Sequence, residues 1–230
     1  MHSKLEIPST MLANPWFGGL PENNRQGLLA ASEPLNLRAG EMLYRQGDAP
    51  SGFFGVVSGS FKVSTLHEDG KEGILAVMEA GNWFGETSLF DGLPRPHDVT
   101  ALQAAEVLVV GQPAFEGLMG SPPFAHAMCV LLSTRVRLLY GLVEDAMLRS
   151  TSTRVARRLL ALARGDVTLA RDSRLVVPVS QEALAMMLGV TRQTLSKELK
   201  ALARDGVVTL GYGRIDILSL AALEARGEVG

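Results

Sequence analysis

Short apolar runs separated by glycine-containing turns fill the first half of the chain. Between residues 35 and 110, stretches such as GFFGVVSGSFKVSTL and AAEVLVV favour β-strands. Glycines punctuate these runs at Gly40, Gly47, Gly59, Gly70 and Gly81. Because short apolar runs bounded by turn residues are typical of antiparallel strands, the pattern predicts an antiparallel β-roll or barrel.

The apolar pattern changes its period at residue 122. Residues 122–148, PPFAHAMCVLLSTRVRLLYGLVEDAML, begin with two prolines, which suit the first turn of a helix, and contain no further proline. Apolar positions then recur at alternating intervals of three and four residues, as in the seam of a two-stranded coiled coil. The seam positions are Cys129, Leu132, Val136, Leu139, Val143 and Ala146. The pattern predicts a long helix that pairs with the same helix of a second chain.

A second apolar stripe widens the surface of this predicted helix. It consists of Met128, Leu131, Leu138 and Leu142. One stripe can cover the roll while the other covers the twin helix, and the alternative is that both stripes are buried within one monomer. The seam position of Cys129 predicts a packed apolar side chain rather than a reactive thiol.

Helical and extended patterns alternate after residue 149. The stretch STRVARRLLALARGD is helical, and RLVVPVS predicts a short strand that leads to Ser180. The Ser180 hydroxyl can cap the helix QEALAMMLG, Gly189 permits a tight turn, and the next helix begins near Thr191 and stops before Gly206. The stretch VVTLGYGRIDIL predicts two strands joined by Gly211, Tyr212 and Gly213. Helix, short turn, helix and hairpin are the layout of a winged helix-turn-helix.

The second helix of this predicted unit has an apolar rear and a polar front. The apolar side consists of Val190, Leu195, Leu199, Leu202 and Val207. The polar side consists of Thr191, Arg192, Gln193, Ser196, Lys197 and Lys200. Arg can pair with the N7 and O6 acceptors of guanine, Gln suits adenine, and Ser and Lys can contact bases or phosphates. The pattern predicts a helix that reads the major groove of DNA, with Thr191 as a cap or a phosphate contact.

The charge of the chain is polarised along its length. Residues 1–149 contain 10 Lys and Arg against 16 Asp and Glu, a net charge of −6, whereas residues 150–216 contain 11 against 6, a net charge of +5. A basic second part favours a polyanionic partner, although a merely solvated basic surface has the same composition. Basic residues at Arg154, Lys200 and Arg214 are candidates for phosphate contacts that do not depend on sequence.

Composition narrows the class of protein further. With 47% apolar residues, no run of eighteen apolar residues and no signal-peptide pattern, the chain is expected to be a soluble cytoplasmic protein without a membrane partner. A single cysteine excludes a disulfide framework within one chain.

The stretch VPVSQEALAMMLGVTRQTLSKELKALARDGVV and the glycine-spaced roll before it resemble the Crp/Fnr superfamily of bacterial transcription regulators over nearly the whole chain. The resemblance implies an α+β fold, with a cyclic-nucleotide-binding-like β-roll of the jelly-roll type (residues 1–121), a central dimerisation helix (122–148) and a winged helix-turn-helix DNA-binding domain (149–230). It also implies a homodimer that binds a palindromic operator in double-stranded DNA and contacts RNA polymerase. Arg192, Gln193, Ser196 and Lys197 match the base-reading positions of the family. Gln193 stands where the catabolite activator branch usually has Glu, which predicts a different preferred operator.

The segment GNWFGETSLFDGLPRPHDVTA carries a candidate anion site. Gly85 and Glu86 open a turn or short helix whose free N–H groups can cradle an anion, Glu86 can accept from a ribose hydroxyl, and Arg95 can neutralise a phosphate. The segment is similar to the phosphate-binding cassette of cyclic-nucleotide domains. The effector-binding candidates are Gly85, Glu86, Thr87, Ser88, Arg95, His97, Arg135, Leu139 and Tyr140.

This segment also departs from the cassette. Pro96 has no N–H to offer a phosphate, and the bulky His97 follows it. Leu139 and Tyr140 replace the small hydroxyl residues that contact adenine in the catabolite activator. These departures disfavour cyclic AMP. Three alternatives stay open: classical cyclic-nucleotide binding, another small anionic effector in the same pocket, or a scaffold without a ligand in which Glu86 and Arg95 form a structural ion pair.

Other sensing and catalytic chemistries find no support. The chain lacks the N-terminal cysteines of iron–sulfur oxygen sensors, and dispersed histidines such as His67, His97 and His126 favour neither haem nor another metal site. No G-x-S-x-G, H-E-x-x-H or P-loop motif is present, so an enzyme is not expected. The competing function is that of a cyclic-nucleotide-responsive adaptor whose C-terminal helices bind protein without operator recognition.

Overall fold

The predicted antiparallel roll consists of two four-stranded sheets. The computed structural model describes residues 8–166 and 174–228. The strands of the roll are β1 (Ser32–Leu37), β2 (Met42–Tyr44), β3 (Phe53–Ser58), β4 (Ser60–Leu66), β5 (Glu72–Glu79), β6 (Trp83–Phe84), β7 (Asp98–Ala101) and β8 (Ala105–Val110). One sheet has the order β1-β8-β3-β6 and the other β2-β7-β4-β5, and the pairings of β8 with β1 and β3 and of β7 with β2 and β4 are antiparallel.

The turn between β3 and β4 shows why glycine separates the strands. Gly59 has a φ of +81°, in the left-handed region that glycine adopts without a steric penalty. A Cβ atom at this position would lie 2.6 Å from the Ala105 side chain and 2.7 Å from the Ala104 carbonyl oxygen. Glycine therefore allows both the turn and the close approach of the loop before β8.

Five short helices pack around the roll, and neither the three that precede β1 nor the one that follows β8 was predicted. They are α1 (Ser9–Ala13), α2 (Pro15–Gly18), α3 (Glu22–Ala30), α4 (Thr87–Asp91) and α5 (Gln112–Met119). An aromatic cluster anchors them, in which the Trp83 ring stacks on Phe17 at 5.5 Å and lies 5.3 Å from the Phe53 ring. Phe115 and Phe124 extend the same buried cluster. Because Trp83 is the third residue of the candidate cassette segment, this cluster holds the start of the cassette in place.

The predicted long helix is present as α6 (Pro122–Leu148). Phe124 and Met128 are fully buried near its start. On the seam, Val136 is 47% exposed, Leu139 60% and Val143 54%, and Cys129 is exposed as well. The alternative in which both stripes are buried within one monomer is therefore wrong, and the packing predicted for Cys129 does not occur within the single chain.

By its length and composition alone, α6 is long and apolar enough to cross a membrane. It is the one such helix among the described residues. A helix that buries an apolar seam against a partner helix has the same composition. The apolar composition of α6 therefore does not distinguish a helix in a membrane from a helix in a helix–helix interface.

The chain divides into two units. One comprises residues 1–65 and 75–135, and the other residues 66–74 and 136–230. The candidate cassette and the roll, except for the turn between β4 and β5 and the adjoining strand ends, lie in the first unit, and the predicted winged helix lies in the second.

The winged helix is present with nearly the predicted bounds. Its elements are α7 (Thr151–Ala163), β9 (Val176–Val177), α8 (Gln181–Leu188), α9 (Arg192–Arg204), β10 (Val208–Gly211), β11 (Arg214–Ile217) and α10 (Leu220–Glu228). The three strands form a sheet of order β10-β11-β9. Gly211 pairs with Arg214, so the hairpin turn is shorter than predicted and consists of Tyr212 and Gly213. The strand predicted from RLVVPVS contracts to the two residues of β9.

Candidate functional site

Local capping fixes where the two helices of the helix-turn-helix begin and end. The Ser180 hydroxyl accepts a hydrogen bond from the Ala183 amide at 3.0 Å, as predicted. Gly189 ends α8 with a φ of +63°. The Thr191 hydroxyl accepts from the Thr194 amide at 3.1 Å, which confirms the capping role for Thr191. These signals set the turn that presents α9.

The rear of α9 is buried in the core of the domain. Leu195 and Leu199 are 0% exposed and Leu202 is 1% exposed. Their cluster also contains buried residues of α7 and α8, such as Leu159 and Leu184. The predicted apolar side is thus confirmed. Because it is buried, its packing fixes which side of α9 faces the solvent.

The polar front of α9 faces solvent. Arg192, Gln193, Lys197 and Lys200 are exposed, and Ser196 is half-buried. Within the described residues, none of the three cations among them has an ion-pair partner. The front of α9 therefore presents uncompensated positive charge and hydrogen-bond donors on its first turns, which is what contact with base edges and phosphates requires.

Two arginines outside α9, Arg154 and Arg214, differ in how freely their side chains could contact a phosphate. One guanidinium nitrogen of Arg154 donates to the carbonyl oxygen of Leu188 at the end of α8, so part of this side chain stabilises the helix-turn-helix. The Arg214 side chain is 60% exposed, and its Nε lies 3.3 Å from a carboxylate oxygen of Asp216. Because an exposed pair of this kind is weak, Arg214 is the more available of the two.

The candidate cassette lies in the first unit, where β6 leads into α4. Gly85 has a φ of +96°, and a Cβ atom there would lie 2.8 Å from the Phe54 ring and 3.0 Å from the Gly52 carbonyl oxygen. Glycine is therefore required at this position. Glu86 follows as the N-cap residue of α4.

Arg95 is buried beneath this turn, with 2% of its surface exposed. Its Nη1 donates to the Gly85 carbonyl oxygen at 2.6 Å, and its Nη2 donates to the Gly52 carbonyl oxygen at 2.8 Å. The guanidinium carbon lies 4.4 Å from the centre of the Tyr44 ring and 5.4 Å from that of Phe54. Burial lowers the pKa of the Arg95 guanidinium, and the nearby Tyr44, Glu86 and Asp48 partly oppose this shift. Burial also raises the pKa of Tyr44 to about 12.

Glu86 is paired with a residue of the long helix. The Arg135 guanidinium donates to one carboxylate oxygen of Glu86 and to the Trp83 carbonyl oxygen, and the Glu86 side chain is 2% exposed. The alternative ion pair between Glu86 and Arg95 is therefore wrong, because the Nη groups of Arg95 donate to carbonyl oxygens and to the hydroxyl of Ser51 instead.

Three buried polar atoms of the cassette have no hydrogen-bond partner among the described residues. They are Arg95 Nε, Glu86 Oε2 and Trp83 Nε1. An unsatisfied buried donor or acceptor is costly. The cassette thus retains two unused donors, one of them cationic, and one unused anionic acceptor.

The remaining effector candidates differ in their placement. Ser88 is buried and Thr87 is exposed on α4, and His97 is half-buried, with its pKa lowered by burial in spite of the neighbouring Asp98. Leu139 and Tyr140 belong to the second unit, where they are 60% and 72% exposed. The structure thus brings together Gly85, Glu86, Arg95 and Arg135.

Sequence reasoning missed the aromatic and carbonyl surroundings of Arg95. Tyr44 lies on β2 and Phe54 on β3, more than forty residues before Arg95 in the chain. No local pattern connects them, because β2 and β3 belong to different sheets and only the packing of the two sheets brings these side chains together. Among the described residues, no group of three or more His, Cys, Asp and Glu side chains is arranged to hold a metal ion.

Comparison with known proteins assigns both halves of the chain to described families. Residues 34–121 match the family described as "Cyclic nucleotide-binding domain", and residues 153–226 match the "Crp-like helix-turn-helix domain". The "Cyclic AMP receptor protein" of Thermus thermophilus is 29% identical over 93% of this chain and 97% of that protein. The crystal structure of the Thermus thermophilus Catabolite Activator Protein is 30% identical over 93% of this chain and 98% of that chain, with a TM-score of 0.51. FixK2 of Bradyrhizobium japonicum shares the fold, with a TM-score of 0.76 and 20% identity over 86% of this chain and 98% of its own.

Proposed function

Because the chain belongs to the Crp/Fnr family of transcription regulators, we propose that it works as a homodimer that binds a palindromic operator and responds to a small effector in its β-roll. The observation that carries the proposal is the front of α9, where exposed cations without ion-pair partners stand over a fully buried apolar rear. The proposed role is binding and regulation rather than catalysis.

Base reading is assigned to the first turns of α9. Arg192 pairs with a guanine and Gln193 with an adenine, while Ser196 and Lys197 contact bases or phosphates. Thr191, which caps the helix, and Lys200 contact the backbone of the DNA. A homodimer presents two such helices to half-sites about 34 Å apart, so that the symmetry of the operator follows the symmetry of the protein.

The exposed seam of α6 supports the homodimer. A row of large apolar side chains left in water along one helix is rare in a stable monomer and typical of an interface. The proposed functional regions are the effector-sensing roll (1–121), the dimerisation helix (122–148) and the DNA-binding domain (149–230). As a regulator of transcription in the cytoplasm, the dimer would also contact RNA polymerase.

The unused atoms of the cassette support a small anionic effector that also carries a hydroxyl group. Arg95 Nε can donate to an anion, and Glu86 Oε2 can accept from a hydroxyl. Cyclic AMP is disfavoured because Pro96 lacks the backbone donor, and because both Nη groups of Arg95 already donate to carbonyl oxygens.

Operator selection tests the DNA-binding part of the proposal. The full-length protein selects duplexes from a randomised pool, and its affinity for the selected duplex is measured by fluorescence anisotropy at several salt concentrations. We expect a palindromic consensus, a steep fall in affinity with salt, and a loss of discrimination between duplexes in Arg192→Ala. Arg38→Ala, which removes an exposed arginine of the roll, serves as the control and should bind as the wild type does. Failure to retain any duplex would favour the protein-binding adaptor.

A further inference from the structure

The end strands of the two sheets of the roll line an open cleft. β1 and β2 each stand at the end of their sheet. The cleft is lined by residues 35–37, 40–45 and 48 and has a volume of about 830 Å³, which lies within the roughly 300–1,000 Å³ of small-molecule sites. None of these residues belongs to the cassette segment, residues 81–101. The cleft is therefore a different site from the effector site proposed at the cassette.

One part of the cleft wall is apolar. It consists of Leu35, Leu37, Met42, Leu43 and Tyr44. Leu37 is buried, whereas Leu35 is 42% exposed and Met42 is 37% exposed. Because large apolar side chains that are exposed together along a concave surface are typical of a binding site, this wall favours a ligand with an apolar body.

The rest of the wall carries charges of both signs. Glu41, Arg45 and Asp48 line the cleft, and all three are exposed. One Glu41 oxygen accepts a hydrogen bond from the Arg38 amide at 2.7 Å, and one Asp48 oxygen accepts from the Arg45 amide at 2.8 Å. These bonds hold both carboxylates against turns of the backbone and leave the other oxygen of each for a ligand. Among the described residues, no carboxylate pairs with the Arg45 guanidinium.

The two signs of charge select the chemistry of the ligand. A guanidinium binds a carboxylate through charge-assisted hydrogen bonds, and a carboxylate accepts from an ammonium group in the same way. A purely anionic ligand would be repelled by Glu41 and Asp48, whereas a purely cationic ligand would leave Arg45 unmatched. The ligand that complements the whole wall therefore carries both charges beside an apolar body.

We propose that the cleft binds a large apolar α-amino acid in its zwitterionic form. The ligand carboxylate pairs with Arg45, and its ammonium group donates to Glu41 or Asp48. Its side chain packs against Leu35 and Met42. This inference goes beyond the proposed function, because it requires neither DNA nor the cassette, and a failure of operator binding would leave it intact.

Three probes of similar size test the match of charges. L-Phenylalanine carries both charges, 3-phenylpropanoate lacks the ammonium group, and 2-phenylethylamine lacks the carboxylate. Each is titrated into the full-length protein with ¹³C-labelled methionine methyl groups, and Met42→Leu identifies the NMR signal of Met42 among the nine methionines. We expect L-phenylalanine to shift the Met42 signal saturably, with an affinity about tenfold higher than that of either single-charge probe.

Matched variants locate the charges that bind the amino acid. Arg45→Gln keeps the backbone amide that donates to Asp48 and should bind L-phenylalanine about tenfold more weakly. Arg38→Gln removes an exposed arginine of the adjoining turn that does not line the cleft and should bind as the wild type does. Glu41→Gln combined with Asp48→Asn keeps an amide oxygen for each backbone N–H, removes both negative charges, and should also weaken binding about tenfold.

Four outcomes would overturn the inference. They are equal affinities of the three probes, an unchanged affinity in Arg45→Gln, and equal losses in Arg45→Gln and Arg38→Gln, which would trace binding to overall charge. The fourth is the absence of any shift of the Met42 signal with L-phenylalanine or L-leucine up to the limit of solubility, including a case in which only other methionines shift.

Discussion

Replacing Arg135 by alanine should destabilise the roll, although a fifth of its side chain is exposed to water. The Arg135 guanidinium bridges the Glu86 carboxylate and the Trp83 carbonyl oxygen, and it is the charge partner of a carboxylate that is 2% exposed. In Arg135→Ala, that carboxylate would be left buried without its cation. The perturbation therefore acts through the desolvated Glu86 rather than through the lost arginine alone.

The burial of Glu86 and Arg135 determines how much the free energy of unfolding falls in Arg135→Ala. Removing one partner of a fully buried ion pair costs about 3–5 kcal/mol, because the other charge remains unpaired. The Arg135 side chain is 20% exposed, so water can replace part of its interaction and the expected loss lies near the lower bound. We expect the free energy of unfolding of the roll to fall by about 3 kcal/mol.

Tryptophan fluorescence during urea denaturation measures this loss in the roll alone. The chain contains two tryptophans, Trp16 and Trp83, whose ring centres lie 6.2 Å apart in the aromatic cluster of the first unit. With a slope of about 2–3 kcal/mol per molar urea, the midpoint of the transition should fall by about 1 M. Arg137→Ala, which removes an exposed arginine of the same helix, should change the stability by less than about 0.5 kcal/mol.

A double variant distinguishes the buried charge from a general effect of truncation. Glu86→Gln combined with Arg135→Met removes both charges and should recover a large part of the stability that Arg135→Ala loses. An Arg135→Ala midpoint as close to the wild type as that of Arg137→Ala would refute the reasoning. The reasoning would also be refuted if the loss of stability in the double variant equalled the sum of the losses in Glu86→Gln and Arg135→Met.

Three further predictions concern the seam, the pH dependence and the cassette. Val143→Asp places a charge on the exposed seam and should halve the mass measured by analytical ultracentrifugation, whereas an unchanged dimer mass would contradict the assignment of the seam. Because burial lowers the pKa of His97 below its ordinary value of 6.5, the unfolded state binds more protons near that pH, so the stability of the roll should fall as the pH drops below about 6.5. When urea midpoints are measured at several pH values, His97→Gln should lose the part of this fall that comes from His97. A pH profile identical to that of the wild type would argue against the assignment to His97. Pro96→Ser restores a backbone N–H beside Arg95 and should tighten cyclic AMP binding about tenfold in calorimetry, and equal affinity in both proteins would show that the missing donor is not what limits binding.

The winged helix and the long helix were largely predictable because their signals are local. Ser180 and Thr191 cap helices through amides three residues away, and Gly189 ends a helix through its own backbone conformation. The two prolines that open α6 and the period of its apolar seam act over a few residues in the same way. Departures occur where strand pairing decides the outcome, as at Gly211, which pairing with Arg214 draws out of the turn and into β10.

The sequence by itself determined the order of the roll, the long helix and the winged helix, the buried and exposed sides of α9 and the apolar row along α6, because each depends on the spacing of neighbouring residues. Only the tertiary structure decided that Glu86 pairs with Arg135 and that the Arg95 guanidinium packs against the rings of both Tyr44 and Phe54. These partners are separated by about fifty, fifty and forty residues of chain. The folding of the sheets and of α6, rather than any local preference of the residues, brings such groups within hydrogen-bonding or stacking distance.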